Sequence, residues 1–292
     1  MCDCSKPNAI FSKKDRILVL GDLHADWRKT QLLFRKFNLI DLNNKWIAQP
    51  KDTIIVQVGD QLDGKSRSAN HDAYGEFKIL DFLEEIHDQA VLYGGGIYSI
   101  LGNHELMNIM GQYSYVSDKD MELSNGIEGR EKLFRPGGKM ACKLACNRNT
   151  ILKIGNFVFA HAGIHSKHVD NNNFIEETNN AMFNFISGKS ALSKKYHDRI
   201  LNKDGILLTR DLGNSKPNCQ EISSTLNKLN VGHIIIGHTP QNQINSKCDN
   251  KVWRVDVGIS QVFGDNQIQI LEILDDGVAL KKNKFKPFRI LK

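Results

Sequence analysis

The sequence predicts an α/β protein: a mixed β-sandwich flanked by helices, with a partly helical cap. Three observations carry this. Short Ile/Val/Leu runs end at once in Gly-Asp, Gly-Asn or Gly-His signatures; these runs alternate with amphipathic helical stretches over the first hundred residues; and the second half turns to hairpin signals and isolated short strands.

Residues 16–20 form a compact apolar run ending in Gly21, which suits a buried parallel strand. From Asp26 to Phe37, Trp27, Leu32, Leu33 and Phe37 recur at helical spacing, so β is followed by α. Residues 53–58 predict the second strand, Tyr74 to Ile86 the second helix through Phe77, Leu80, Leu83 and Ile86, and residues 97–101 the third strand. Such alternation implies right-handed βαβ units. Later, 151–160 reads as a hairpin turning at Gly155-Asn156, and 269–280 as another turning at Asp276-Gly277. Residues 234–236 and 252–257 add short strands. The polar excursions 106–150 and 165–205 are helix-compatible in patches and are expected to form a cap beside the site.

A chain of 292 residues with 40% hydrophobic content can bury one substantial core, and no linker divides it. A single domain is expected over 1–292, with a core at about 16–275 and a basic tail at 281–292. No apolar stretch is long enough to span a bilayer, and the amino terminus lacks a secretory apolar segment, so an intracellular, cytoplasmic setting is expected. The net charge of +6 is spread over scattered lysines apart from the tail, which reads as a solvated face and not as a nucleic-acid site. Cysteines 2, 4, 142, 146, 219 and 248 show no regular framework in a chain this long, which predicts reduced thiols; Cys142 and Cys146 lack a matched second pair for zinc.

Six polar signatures run through the chain in one order: Gly21-Asp22-Leu23-His24, Gly59-Asp60-Gln61-Leu62-Asp63, Gly102-Asn103-His104-Glu105, His161-Ala162-Gly163, Thr209-Arg210 and Gly237-His238-Thr239. Most follow directly on a predicted strand, where chemistry sits on α/β sheets. Carboxylates, an amide and imidazoles together suit divalent Mn, Fe or Zn, with Mg tolerated less well. Two such ions, about 3.5–4 Å apart, clamp an in-line phosphoryl displacement and lower the pKa of a bridging water. Asp60 opens the middle signature and is the best bridging carboxylate.

With Tyr115-Val116-Ser117, Phe134-Arg135-Pro136-Gly137-Gly138, Leu208-Thr209-Arg210 and the run from Arg254 to Ser260, the signatures resemble the calcineurin-like metallophosphatases of the PPP type. Within these the chain is most similar to the Shewanella-like protein phosphatases, over about residues 16–275. The resemblance implies Asp22, His24 and Asp60 on one metal and Asp60, Asn103, His161 and His238 on the other. It implies His104 as the acid for the leaving oxygen, oriented by Asp63, and Arg210 as the phosphate grip, with Asn103 also facing substrate. It implies a phosphorylated protein or peptide as substrate, with serine, threonine and tyrosine left open.

One departure stands out. Where the resembled family has Asp-Arg-Gly, this chain has Asp63-Gly64-Lys65, so a phosphate-binding arginine is missing. Lys65 or Arg67 is expected to substitute, and an arginine restored at Gly64 is expected to lower the Michaelis constant. Two alternatives remain open, symmetrical dinucleoside polyphosphate cleavage and a non-catalytic phospho-binding role. Pro240 stands where a phosphodiesterase would offer a further histidine.

Overall fold

The computed structural model describes residues 2–67, 71–264, 266–275 and 287–292. Two six-stranded sheets form a sandwich. Strands in chain order are β1 (Ile10–Phe11), β2 (Arg16–Leu20), β3 (Ile54–Gln57), β4 (Gly96–Ile100), β5 (Arg148–Asn149), β6 (Ile151–Ile154), β7 (Phe157–Ala160), β8 (His233–Ile236), β9 (Asn245–Lys247), β10 (Val252–Arg254), β11 (Ile270–Leu274) and β12 (Phe288–Leu291). One sheet runs β1-β6-β7-β8-β10-β9, the other β12-β11-β2-β3-β4-β5. The expected βαβ units are present: β2, β3 and β4 are parallel neighbours, linked through helices α1 (Trp27–Lys36) and α2 (Glu76–Val91).

Side-chain alternation shows why the sheets stack. Phe157 and Phe159 pack toward β2–β4, while Val158 and Ala160 point the other way into a second core; Ile235 and Ile234 split in the same manner. Both faces of the sheet that holds β7 and β8 are therefore buried, one by the other sheet and one by helices, and each fully buried Ile or Phe contributes about 1.5–3 kcal/mol. The antiparallel pair β6–β7 turns at Gly155, as expected.

The excursions are helical. Helices α3 (Asn103–Ile109), α4 (Asp118–Leu123), α5 (Gly126–Phe134) and α6 (Lys139–Asn147) occupy the first, and α7 (Phe174–Ile186) and α8 (Lys194–Leu201) the second; α9 (Cys219–Leu229) precedes β8. α7 and α9 supply Met182, Ile186, Ile222 and Leu226 to the second core.

Two expectations need correction, and a third is not tested. The core does not stop at 16 and 275, because β1 and β12 extend the sheets at their edges; β12 pairs with β11 and sets Arg289 3.7 Å from Glu272, so the tail's end is an edge strand. The hairpin expected at Asp276-Gly277 and Lys281–Lys286 lie outside the described residues. The thiols are not reduced: Cys2–Cys142, Cys4–Cys146 and Cys219–Cys248 are disulfides, leaving none free. Cys142 and Cys146 lie one turn apart on α6, a helix buried against α5 and α7, and the extended amino terminus lays Cys2 and Cys4 along it. That pairing spans about 140 residues and is invisible to local spacing.

Candidate metal centre and active site

The loops after β2, β3, β4, β7 and β8 converge at the carboxyl ends of their strands and bring the signatures together. Tight turns do this. His24, Ala25, Asp60, Asp63 and His238 all take positive φ, between 39° and 69°. Left-handed backbone at non-glycine residues is strained and concentrates at functional sites. Close approach adds a further demand: a Cβ on Gly102 would collide with Asp60 Oδ1, and one on Gly237 with Asp22 Oδ1.

Asp60 is central and buried. Its Oδ2 lies 3.2 Å from His161 Nε2, 3.7 Å from His24 Nε2 and 3.9 Å from His104 Nε2. Its Oδ1 accepts the His104 backbone N–H at 3.0 Å. Burial alone would raise its pKa, but His161, His104 and His24 outweigh burial and hold the carboxyl well below the usual range. Glu105, to which the sequence reading gave no role, accepts backbone N–H groups from Asp60, Gln61, Leu62 and Gly102 at 2.7–3.1 Å. One buried carboxylate thereby fastens the second signature to the third.

Two sets of donor atoms, His24, Asp60 and His104, and Asp60, His161 and His238, each converge within 4.8 Å and could hold a metal ion. The donors fit divalent cations. Burial pushes the His24 and His238 imidazoles down to about 3, so both are neutral donors at physiological pH. His161 Nδ1 is tied to the Val58 carbonyl at 2.8 Å, which leaves Nε2 for a metal. Asp22 Oδ2 accepts the His238 N–H at 3.0 Å, while its buried Oδ1 has no hydrogen-bond partner. Burial, with Asp256 and Asp60 nearby, lifts the Asp22 carboxyl well above its usual range, and a cation reverses that imbalance. Asn103 Oδ1 is 3.0 Å from His161 Nε2, at the same locus. His104 belongs geometrically to the first set, yet its Nδ1 is engaged by Asp63 Oδ2 at 2.6 Å, which suits proton transfer; Asp22, with its orphan oxygen, could hold an ion in its place.

A cavity of about 460 Å³ opens over these groups, with Arg67 and Arg210 on its wall. Arg210 is exposed and donates to the His238 carbonyl at 3.2 Å. Arg67 reaches inward: Nη2 lies 3.4 Å from His24 Nδ1 and 3.5 Å from His104 Nε2, and the guanidinium sits 4.2 Å over the Tyr115 ring. Lys65 is exposed and does not line the cavity, and among the described residues its backbone contacts Tyr115 and Arg67. Of the two expected substitutes for the missing arginine, only Arg67 enters the site. Met107, Tyr115, Leu208, Pro240 and Phe263 give the cavity an apolar rim that the signatures did not reveal. Asp256 is buried near Asp22 with one unpartnered oxygen, and burial lifts it to about 6.

The residue pattern of the calcineurin-like phosphoesterases matches residues 15–242. The chain belongs to the calcineurin-like phosphoesterase family. This phosphoesterase is 29% identical to Shewanella-like protein phosphatase 2 of Arabidopsis thaliana over 92% of its own length and 78% of the relative's. It is 28% identical to Shewanella-like protein phosphatase 1 of Plasmodium berghei, over 84% and 67% respectively. Among solved structures, the cold-active protein-tyrosine phosphatase of a psychrophilic Shewanella species superposes with a TM-score of 0.79 at 23% identity, covering 93% of this chain and 78% of that one; at this identity the likeness concerns the fold. Among the described residues no helix is long and apolar enough to cross a membrane.

Proposed function

We propose that this phosphoesterase is a protein phosphatase hydrolysing phosphomonoesters of serine, threonine or tyrosine with two divalent ions, Mn, Fe or Zn. Asp22, His24 and Asp60 would hold one ion, and Asp60, Asn103, His161 and His238 the other. The observation that carries the reading is Asp60 Oδ2 standing among His161, His24 and His104 beneath a cavity walled by two arginines. When bound, the ions supply water activation and charge neutralisation.

The remaining work falls to the chain. Arg67 and Arg210 bind and orient the phosphate, and the apolar rim takes the side chain that carries it. As the P–O bond breaks, the departing oxygen takes a proton from His104 Nε2, while Asp63 keeps the Nδ1 proton. The attacking water supplies the oxygen to phosphorus and the proton that restores the imidazole.

The three disulfides favour an oxidising compartment over the cytoplasmic one expected.

The test is a panel of phosphoserine, phosphothreonine and phosphotyrosine peptides beside diadenosine tetraphosphate, with Mn present. Peptide dephosphorylation is expected. Cleavage of the dinucleotide alone, or no turnover with any divalent ion, overturns the reading.

A further inference from the structure

Arg130, on cap helix α5, is among the largest fully buried side chains in the protein. Its Nη1 donates to Glu76 Oε1 at 2.5 Å and to Ser124 Oγ at 3.1 Å, and Nη2 to Glu76 Oε2 at 3.1 Å. Its Nε donates to Asn108 Oδ1 at 2.7 Å. A buried ion pair is weak evidence for stability, since apolar residues of similar volume commonly serve as well. The pair borders the proposed acid dyad: Arg130 Nη2 stands 3.9 Å from Asp63 Oδ1, too far for a hydrogen bond, and the hydrogen bonds between them pass through Asn108 and run in one direction.

A guanidinium has donors only, so Asn108 must turn its oxygen to Arg130 and its amide nitrogen the other way. That nitrogen donates to Asp63 Oδ1 at 2.8 Å and to the His104 carbonyl at 2.9 Å. With Oδ1 taken, Asp63 Oδ2 receives His104 Nδ1 at 2.6 Å. An ionised carboxylate only accepts, so the proton between them resides on Nδ1 and Nε2 is presented to the cavity. Glu76 completes the frame by approaching the Asp63 backbone N–H at 3.5 Å. The whole chain is buried, so water offers no replacement for a lost partner.

We propose that Arg130 is a positioning residue for the leaving-group acid, acting through the Asn108 amide and Asp63 to set which nitrogen of His104 faces the substrate. The inference rests on the phosphatase reading with His104 as acid. It makes the cap part of the proton-delivery apparatus as well as a wall of the cavity.

The experiment compares a phosphoserine peptide, whose leaving oxygen needs a proton, with 2,4-dinitrophenyl phosphate, whose leaving group does not. The double variant Arg130→Met/Glu76→Gln avoids stranding a buried carboxylate. Its kcat on the peptide is expected to fall about 10–100-fold, part of the full effect of a general acid, with dinitrophenyl phosphate and metal content nearly unchanged. In an Asp63→Asn background the same substitutions should add nothing to the discrimination between substrates. Equal losses on both substrates, no loss on either, or additive losses in the Asp63→Asn background overturn the inference. If the double variant does not fold, Asn108→Ser keeps the Arg130–Glu76 pair and is subject to the same comparison. A parent protein inert on both substrates removes the phosphatase reading and this inference together; an active parent with unselective variants removes the inference alone.

Discussion

His104 Nδ1 lies 2.6 Å from Asp63 Oδ2, and both side chains are buried while Nε2 of the same imidazole faces the cavity. Burial alone would lower the His104 pKa, but Asp60 and Asp63 outweigh it and raise the pKa above the ordinary imidazole value, as a proton donor requires. His104→Ala should therefore lower kcat about 10²–10⁴-fold on alkyl phosphates, with metal content intact by elemental analysis. Unaltered phosphoserine hydrolysis would remove His104 from this role.

At Gly64 the structure reverses an expectation. A Cβ there would collide with the backbone carbonyl of Ala73, whose N–H is bonded to the Gly64 carbonyl at 2.7 Å. Gly64→Arg should lower the melting temperature and leave the Michaelis constant no better. Arg67→Ala should raise that constant about 10–100-fold, the loss of charge-assisted hydrogen bonds worth about 1.5–3 kcal/mol. Steady-state kinetics and thermal melts separate the two, and an unchanged Michaelis constant in Arg67→Ala would exclude it from phosphate binding.

Metal loading should depend on pH through His161 and not through His24 or His238. Burial lowers all three imidazoles, and Asp60 at 3.2 Å overcomes it at His161, raising that group above 6.5. His24 and His238, at about 3, have no proton to shed. A metal binds only the deprotonated imidazole, so loading releases protons and affinity falls as pH drops through that raised pKa. The raised Asp22 carboxyl works in the same direction. Calorimetric metal titration in two buffers of different ionisation enthalpy counts the protons, and a count of zero at every pH tested contradicts the assignment.

The disulfides should contribute unequally. Removing Cys219–Cys248, with a sequence separation of 29, should cost about 2–4 kcal/mol. Cys2–Cys142 and Cys4–Cys146 close nearly the same loop, with separations of 140 and 142. Losing either alone should be mild and losing both severe. Melting curves of the serine variants test this; additive losses would show that the bridges act independently.

By itself the sequence determined β2, β3, β4, β7 and β8, because each is a largely apolar run that leads into a signature, and it determined the donor types at their ends; the two-residue β1 and the polar β5 and β9 carry no such signal. Those are local properties. The second helix runs to Val91 and not Ile86, since its last turn keeps Ala90 buried, and the tail's end became a strand because β11 offered an open edge. Only the tertiary structure decided which of Lys65 and Arg67 reaches the cavity, that Gly64 has no room for a side chain, and which cysteines pair. It alone joined Arg130 to His104 through Asn108 and Asp63. Each of these is a contact between residues distant in the chain or a clash with another segment's backbone, and packing sets such distances where local propensity cannot.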